Sequence, residues 1–151
     1  METSLKPVFH DPEKVGDPRV ALKALIAHRS VLAAPGLVFG VATPARSVGE
    51  GMIEMGYFTL GPEAVAFIGD VYAYGWVRDF DWMTWSRTAQ GGRLLQDPVA
   101  LANADEDDFA RILTVCMREA RWGPEALNDR FREGLLTRVL ERAAALFHQR
   151  Y

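Results

Sequence analysis

The sequence is short of the residues from which most catalytic and metal centres are made. Cys116 is the only cysteine, and His10, His28 and His148 are the only histidines. One thiol closes no intramolecular disulfide and cannot supply a cysteine-rich metal site. His28 has no second histidine or carboxylate at local ligand spacing, so it is expected to be a partly exposed structural residue. Neither Gly-x-x-x-x-Gly-Lys-Ser/Thr nor Gly-x-Gly-x-x-Gly occurs, which removes the phosphate-loop reading of the glycines between Gly36 and Gly61. No apolar run reaches the ~18 residues of a membrane span. The start, Met1-Glu2-Thr3-Ser4-Leu5-Lys6, lacks the apolar stretch of a signal peptide. Basic residues do not dominate either: 17 Lys and Arg face 20 Asp and Glu, a net charge of −3. That balance argues against general binding to a nucleic-acid backbone. The expectation is a bacterial-type cytoplasmic protein with no membrane partner, no metal and no cofactor.

What is present is the composition of an ordinary globular chain, with 49% hydrophobic and 25% charged residues among 151. That length suits one domain with a substantial core. Residues 1–16 are polar and carry Pro7, Pro12 and Gly16. They read as an N-terminal tail, with one helical turn after Asp11-Pro12. Residues 17–151 read as a single helical domain, mainly α, a bundle of five to seven helices joined by short turns. Asp17-Pro18 starts the first helix, whose stripe of Leu22, Leu25, Ile26 and Ala33 runs to about Ala34. Leu37 to Val41 and Met52 to Thr59 are strand-like, and one small β-hairpin between the first and second helices accommodates them. Gly61-Pro62 opens a second helix with Val65, Ile68 and Tyr72 on its buried face and Leu60 stapled to Val65. Gly75 stops it.

Aromatic density peaks at Asp79-Phe80-Asp81-Trp82-Met83-Thr84-Trp85. Asp81 is suited to cap a helix, because its carboxylate accepts the unpaired N–H groups of the first turn. Phe80 and Trp85 stand at the spacing of a hydrophobic staple, and Trp82 and Trp85 share a face. This helix is expected to weaken at Gly91-Gly92. Asp97-Pro98 caps a short turn. Asp105 starts the clearest helix, with Phe109, Ile112, Leu113, Cys116, Met117 and Ala120 on one apolar stripe. Its acidic first turn suits the helix dipole better than a cation. Gly123-Pro124 opens a short helix, with Trp122 stapled to Leu127 and Phe131 facing inward. A last helix carries Leu136, Val139, Leu140, Ala143 and Phe147.

Several of these residues recur in an order that resembles a bacterial family known only as a domain of unknown function. They are Gly56-Tyr57-Phe58, Pro62-Glu63, Phe80-Asp81-Trp82, Trp85, Asp97-Pro98 and Ala104-Asp105. Leu113-Thr114, Arg118, Arg121-Trp122, Phe131, Gly134 and Leu135 to Leu140 follow. The likeness spans roughly residues 20–147. Members often show Cys-Glu-Gly after the aromatic, where this chain has Gly123-Pro124-Glu125. Any role of that cysteine is therefore absent here. The resemblance implies a fold and no activity.

Two residue sets carry candidate chemistry. On the Asp105 helix, Arg111, Thr114, Arg118 and Arg121 project within about 80° of one another. Guanidinium groups and a hydroxyl on one stripe suit a phosphate or carboxylate. The competing reading is a solvated face whose arginines pair with acids such as Glu125 or Asp129. Trp76, Trp82, Trp85 and Trp122, with Tyr57 and Phe58, form the second set, either the floor of an aromatic groove or simply core. Asp79 and Asp81 make a poor acid–base pair, since Asp81 is committed to capping. The expectation ranks a non-catalytic binding or interaction module first, with a protein partner or small anionic ligand. An enzyme or binder of a nucleotide-like anion comes second. A homo-oligomeric structural protein comes third.

Overall fold

The structure, a computed structural model, describes residues 17–151. The tail expected over 1–16, with its helical turn, lies outside the described residues. The fold is mainly α, in more helical segments than the five to seven expected, because two of the expected helices are each divided.

The first division falls at Ala27-His28. Helix α1 (Pro18–Ile26) is capped by Asp17, whose carboxylate accepts the Arg19 N–H at 2.9 Å. Helix α2 (Arg29–Leu32) follows after the break. At the break the His28 ring reaches Asp70 (Nε2 to Oδ2, 2.7 Å) and meets the edge of Phe67. The apolar stripe therefore ends at Leu32, and Ala33 is exposed rather than buried.

The β segment differs from the expected hairpin. Strand β1 (Gly40–Thr43) pairs antiparallel with β4 (Tyr57–Leu60), from Gly40 opposite Leu60 to Thr43 opposite Tyr57. Between them β2 (Arg46–Gly49) pairs with β3 (Met52–Glu54) as a separate, fully exposed ladder. Leu37 to Phe39 precede the strand. Phe39 leaves the ribbon for the core, where it stacks on Phe131 at 4.5 Å.

Helix α3 (Pro62–Ala73) buries Ala64, Phe67 and Val71. The expected face is displaced by one position: Val65 is 56% exposed, Tyr72 44% exposed, and Ile68 half-buried. Packing of the Phe67 ring decides the phase, and Val65 serves no staple with Leu60. Gly75 does end this helix. At φ +81° it occupies the left-handed region, and the N–H groups of Trp76 and Gly75 return to the carbonyls of Val71 and Tyr72. This Schellman turn satisfies two terminal carbonyls and throws Trp76 into the core.

The second division follows Asp81. Helix α4 (Trp82–Ser86) is short, and α5 (Ala89–Gln96) is a separate helix. The Thr88 hydroxyl donates to the Trp85 carbonyl at 2.7 Å and accepts the Gly91 N–H at 3.0 Å. Gly91-Gly92 thus lie inside a helix instead of breaking one. A Cβ on Gly91 would stand 2.1 Å from the Trp85 carbonyl oxygen, whereas one on Gly92 would meet nothing within 4 Å. Helix α6 (Pro98–Leu101) is capped by Asp97.

Helix α7 (Glu106–Trp122) is the axis of the fold. Asp105 and Asp108 form a reciprocal capping box at its start, each carboxylate accepting the other's backbone N–H. Phe109, Ile112, Leu113, Cys116 and Met117 are buried as the stripe predicts, while Ala120 is half-buried. Ala110, Thr114 and Val115 are buried as well, so the middle of α7 is covered on nearly all sides. The covering comes from α4, α5, α8 (Glu125–Arg132) and α9 (Leu135–Arg150). Pro124 stands at the N-terminal cap position of α8 with no side-chain hydrogen bond, and Trp122 is the last residue of α7, too exposed to staple onto Leu127. In α9, Leu135, Leu136, Val139, Leu140 and Ala143 are buried and Phe147 is half-buried. The C-terminal turn is tied to the start of α7 through Arg150 and Glu106. No helix among the described residues is long and apolar enough to cross a membrane.

The two adjacent glycines of α5 give opposite expectations. Gly92→Ala should raise stability by about 0.5–1 kcal/mol, the ordinary helix-interior gain. Gly91→Ala should lower it, since its methyl group meets a backbone oxygen. Urea unfolding of both variants measures the two signs.

Candidate functional site: an aromatic and cationic cleft between two helices

The site begins with a backbone stretch that has no ladder of its own. Residues 76–80 run alongside α7 after the Gly75 turn. Thr114, at 0% exposure, meets them: its hydroxyl accepts the Arg78 N–H at 2.9 Å and donates to the Trp76 carbonyl at 3.3 Å. One side chain thereby satisfies two backbone groups of the linker. Phe80 is then buried edge-on against Trp85, with centroids 6.2 Å apart, as the staple spacing predicts. Asp81 caps α4, accepting the Thr84 N–H at 3.1 Å and its hydroxyl at 2.8 Å. Those two bonds, the hydroxyl first, hold the Asp81 carboxyl below its ordinary range.

Helix α4 is thus laid against the C-terminal half of α7. Between them Trp82, Met83, Arg118, Arg121 and Trp122 line an open cleft of about 480 Å³. Trp122 is 88% exposed and Met83 49% exposed, while Trp82 is half-buried. Among the described residues neither Arg118 nor Arg121 forms an ion pair; Glu125 and Asp129 do not reach them. The nearby acid on the same helix, Glu119, is engaged by Arg130 through two bonds of 3.0 and 2.9 Å.

The structure sorts the two candidate sets. Arg111 pairs with Asp108 of its own helix at 3.1 Å, about two turns from Arg118. Thr114 is a buried structural hydroxyl and not part of an exposed stripe. Arg118 and Arg121 do line one cavity. Of the tryptophans, Trp76 lies in the core near Phe109 and Trp85 in the core near Phe80. Trp82 and Trp122 belong to the cleft. Met83 completes it and was not singled out from sequence, since its place depends on α4 facing α7.

Among the described residues no acid, base or nucleophile lines this cavity. What it offers is two planar forks of N–H donors beside two indoles and a thioether. Cys116 lies elsewhere, fully buried, and burial pushes its thiol up to about 12. Such a thiol is inert at neutral pH. Among the described residues no three His, Cys, Asp or Glu side chains gather to hold a metal ion.

Two measurements test this construction. Thr114→Val removes the hydroxyl that meets the Arg78 N–H and the Trp76 carbonyl, at a cost on the order of 1–3 kcal/mol per lost bond, whereas Thr114→Ser should retain most of the stability. Chemical denaturation separates the two variants. The second concerns Asp81. Its folded pKa is depressed, so its stabilising effect is present above the unfolded value of roughly 4 and lost as pH falls through the folded value. The difference in Tm between the wild type and Asp81→Ala should therefore be widest near neutrality and close progressively in acid.

Neither the curated proteins nor the solved structures include a match to this chain. A family model does match, over residues 18–149. That stretch holds every helix from α1 to α9, all but the last residue of α9, and the whole cleft. The chain belongs to a family of unknown function (DUF6508).

Proposed function

We propose that this protein is a non-catalytic binding module whose cleft between α4 and α7 takes an anionic ligand. The observation that carries this reading is the pairing of Arg118 and Arg121, free of carboxylates among the described residues, with an indole that is 88% exposed. A guanidinium grips a carboxylate or phosphate through two parallel hydrogen bonds, and neighbouring aromatic faces add stacking and cation–π attraction. Exposed Trp and unpaired Arg are also the side chains that dominate binding energy when a partner covers them. The lining among the described residues holds no acid, base or nucleophile, which supports this reading over an enzyme acting on a nucleotide-like anion.

Inorganic phosphate and sulfate are the simplest probes. Titrated into the ¹⁵N-labelled protein, they should shift the indole N–H signals of Trp82 and Trp122 and leave those of Trp76 and Trp85 in place. Arg118→Ala should weaken the response by about tenfold or more, the loss of a charge-assisted bond being worth ~1.5–3 kcal/mol. Arg118→Lys should also weaken it, because the charge survives and the fork does not. An unchanged response in Arg118→Ala and Arg121→Ala overturns the assignment.

A further inference from the structure

Resting on the reading of the cleft as an anion site, we infer that its occupant is a short acidic segment of a partner protein. A carboxylate sits on Arg118 and Arg121, and a large apolar side chain lies between Trp82, Met83 and Trp122. Three features of the cleft select a peptide over a phosphate-bearing ligand.

The first is its position on α7. Arg121 lies in the last turn of that helix and Trp122 is its final residue. The helix dipole is negative there, and backbone carbonyls rather than N–H groups are the unsatisfied atoms. Phosphate sites draw on helix N-termini or glycine loops that present several N–H donors, and neither lines this cleft among the described residues. A carboxylate carries one charge and two oxygens. A single guanidinium fork matches it without further donors.

The second feature is openness. Small-molecule sites enclose most of their ligand's surface. Here Trp122 and Met83 stand at the rim, the one 88% and the other 49% exposed. A nucleobase laid on Trp122 would keep its other face in water. An extended or helical segment crossing from α4 to α7 covers Trp122, Met83 and Trp82 together.

The third feature is composition and charge. Aromatic residues, Met and Arg are the types enriched at the centres of protein–protein interfaces. The lining is wholly of these types. A chain of net charge −3 repels a polyanionic strand as a whole. Two local arginines accept one or two carboxylates at short range, where the screened field of the rest of the surface counts for little.

The test uses a library of blocked peptides, each pairing Asp or Glu with one of Leu, Met, Phe, Tyr or Trp. Asn and Gln replace the acids in one control set, and Ser replaces the apolar residue in another. ATP, inorganic phosphate and single-stranded oligodeoxythymidylate are run beside them against the full chain, read by the Trp82 and Trp122 indole signals. The expected result is that the best acidic–apolar peptides bind more than about tenfold tighter than both controls and all phosphate ligands. Arg121→Ala and Trp122→Ala, both surface changes that leave the core untouched, should each lose that advantage. Tighter binding of ATP or the oligonucleotide overturns the peptide inference while the anion reading stands. Equal binding of the Asn and Gln peptides overturns the role of charge. Indole signals that respond to no anion at all overturn both.

Discussion

The hydroxyl of Thr114 is the contact on which the arrangement around the cleft depends. The stretch from Trp76 to Phe80 is itself neither helix nor strand, yet Trp76, Arg78 and Phe80 are buried. Buried backbone N–H and carbonyl groups must find partners, because an unmade bond costs more than a made one returns. Thr114 supplies one acceptor and one donor from the middle of α7. The linker is pinned at a fixed height on that helix, and everything that follows inherits the position. Phe80 reaches the core, Asp81 caps α4, and α4 comes to rest with Trp82 and Met83 facing the arginines. The cleft is the space left between α4, which follows this linker, and the helix that carries the Thr114 hydroxyl.

Around this contact the fold repeats one local device. Asp17, Asp81, Thr88, Asp97 and Asp105 each accept a first-turn N–H of the helix they precede. Short helices gain most from such caps, since four orphan donors are a large share of their hydrogen bonding. That is how a helix as brief as α4 holds its orientation well enough to form a wall. Burial does not follow the same economy. Helix α7 is covered almost all round in its middle and opens to solvent only near its C-terminal end. Arg118, Arg121 and Trp122, which line the cleft, are therefore concentrated in the last turn and a half.

The sequence was most informative where the cause is local. The stripe from Phe109 to Met117, the cap at Asp81, the stop at Gly75 and the pairing of Phe80 with Trp85 all depend on residues within a few positions. The face of α3 was not legible, because Val65, Ile68 and Tyr72 satisfy the same helical spacing as Ala64, Phe67 and Val71. Only the packing of Phe67 chooses between them. Thr114 was misplaced for a related reason: a hydroxyl beside arginines reads as surface until its partners appear, 36 and 38 residues earlier in the chain. His28 and Asp70 are 42 residues apart, so their contact left no trace in local spacing. Of the cleft, the Arg118–Arg121 wall was visible as a helical stripe. The facing wall was not, and four tryptophans of equal hydrophobicity gave no sign of which two would stay outside.

The burial of Cys116 makes the molecule a recorder of its own breathing. Its thiol sits at the centre of α7, fully enclosed, and desolvation holds it in the unreactive protonated form. An alkylating reagent in solution reaches it only when the packing around α7 opens. Because Cys116 is the only cysteine among 151 residues, each modified chain marks one opening at one known place. The rate at which mass accumulates then reports how often the interior opens, with no engineered label and no second thiol to confuse the count.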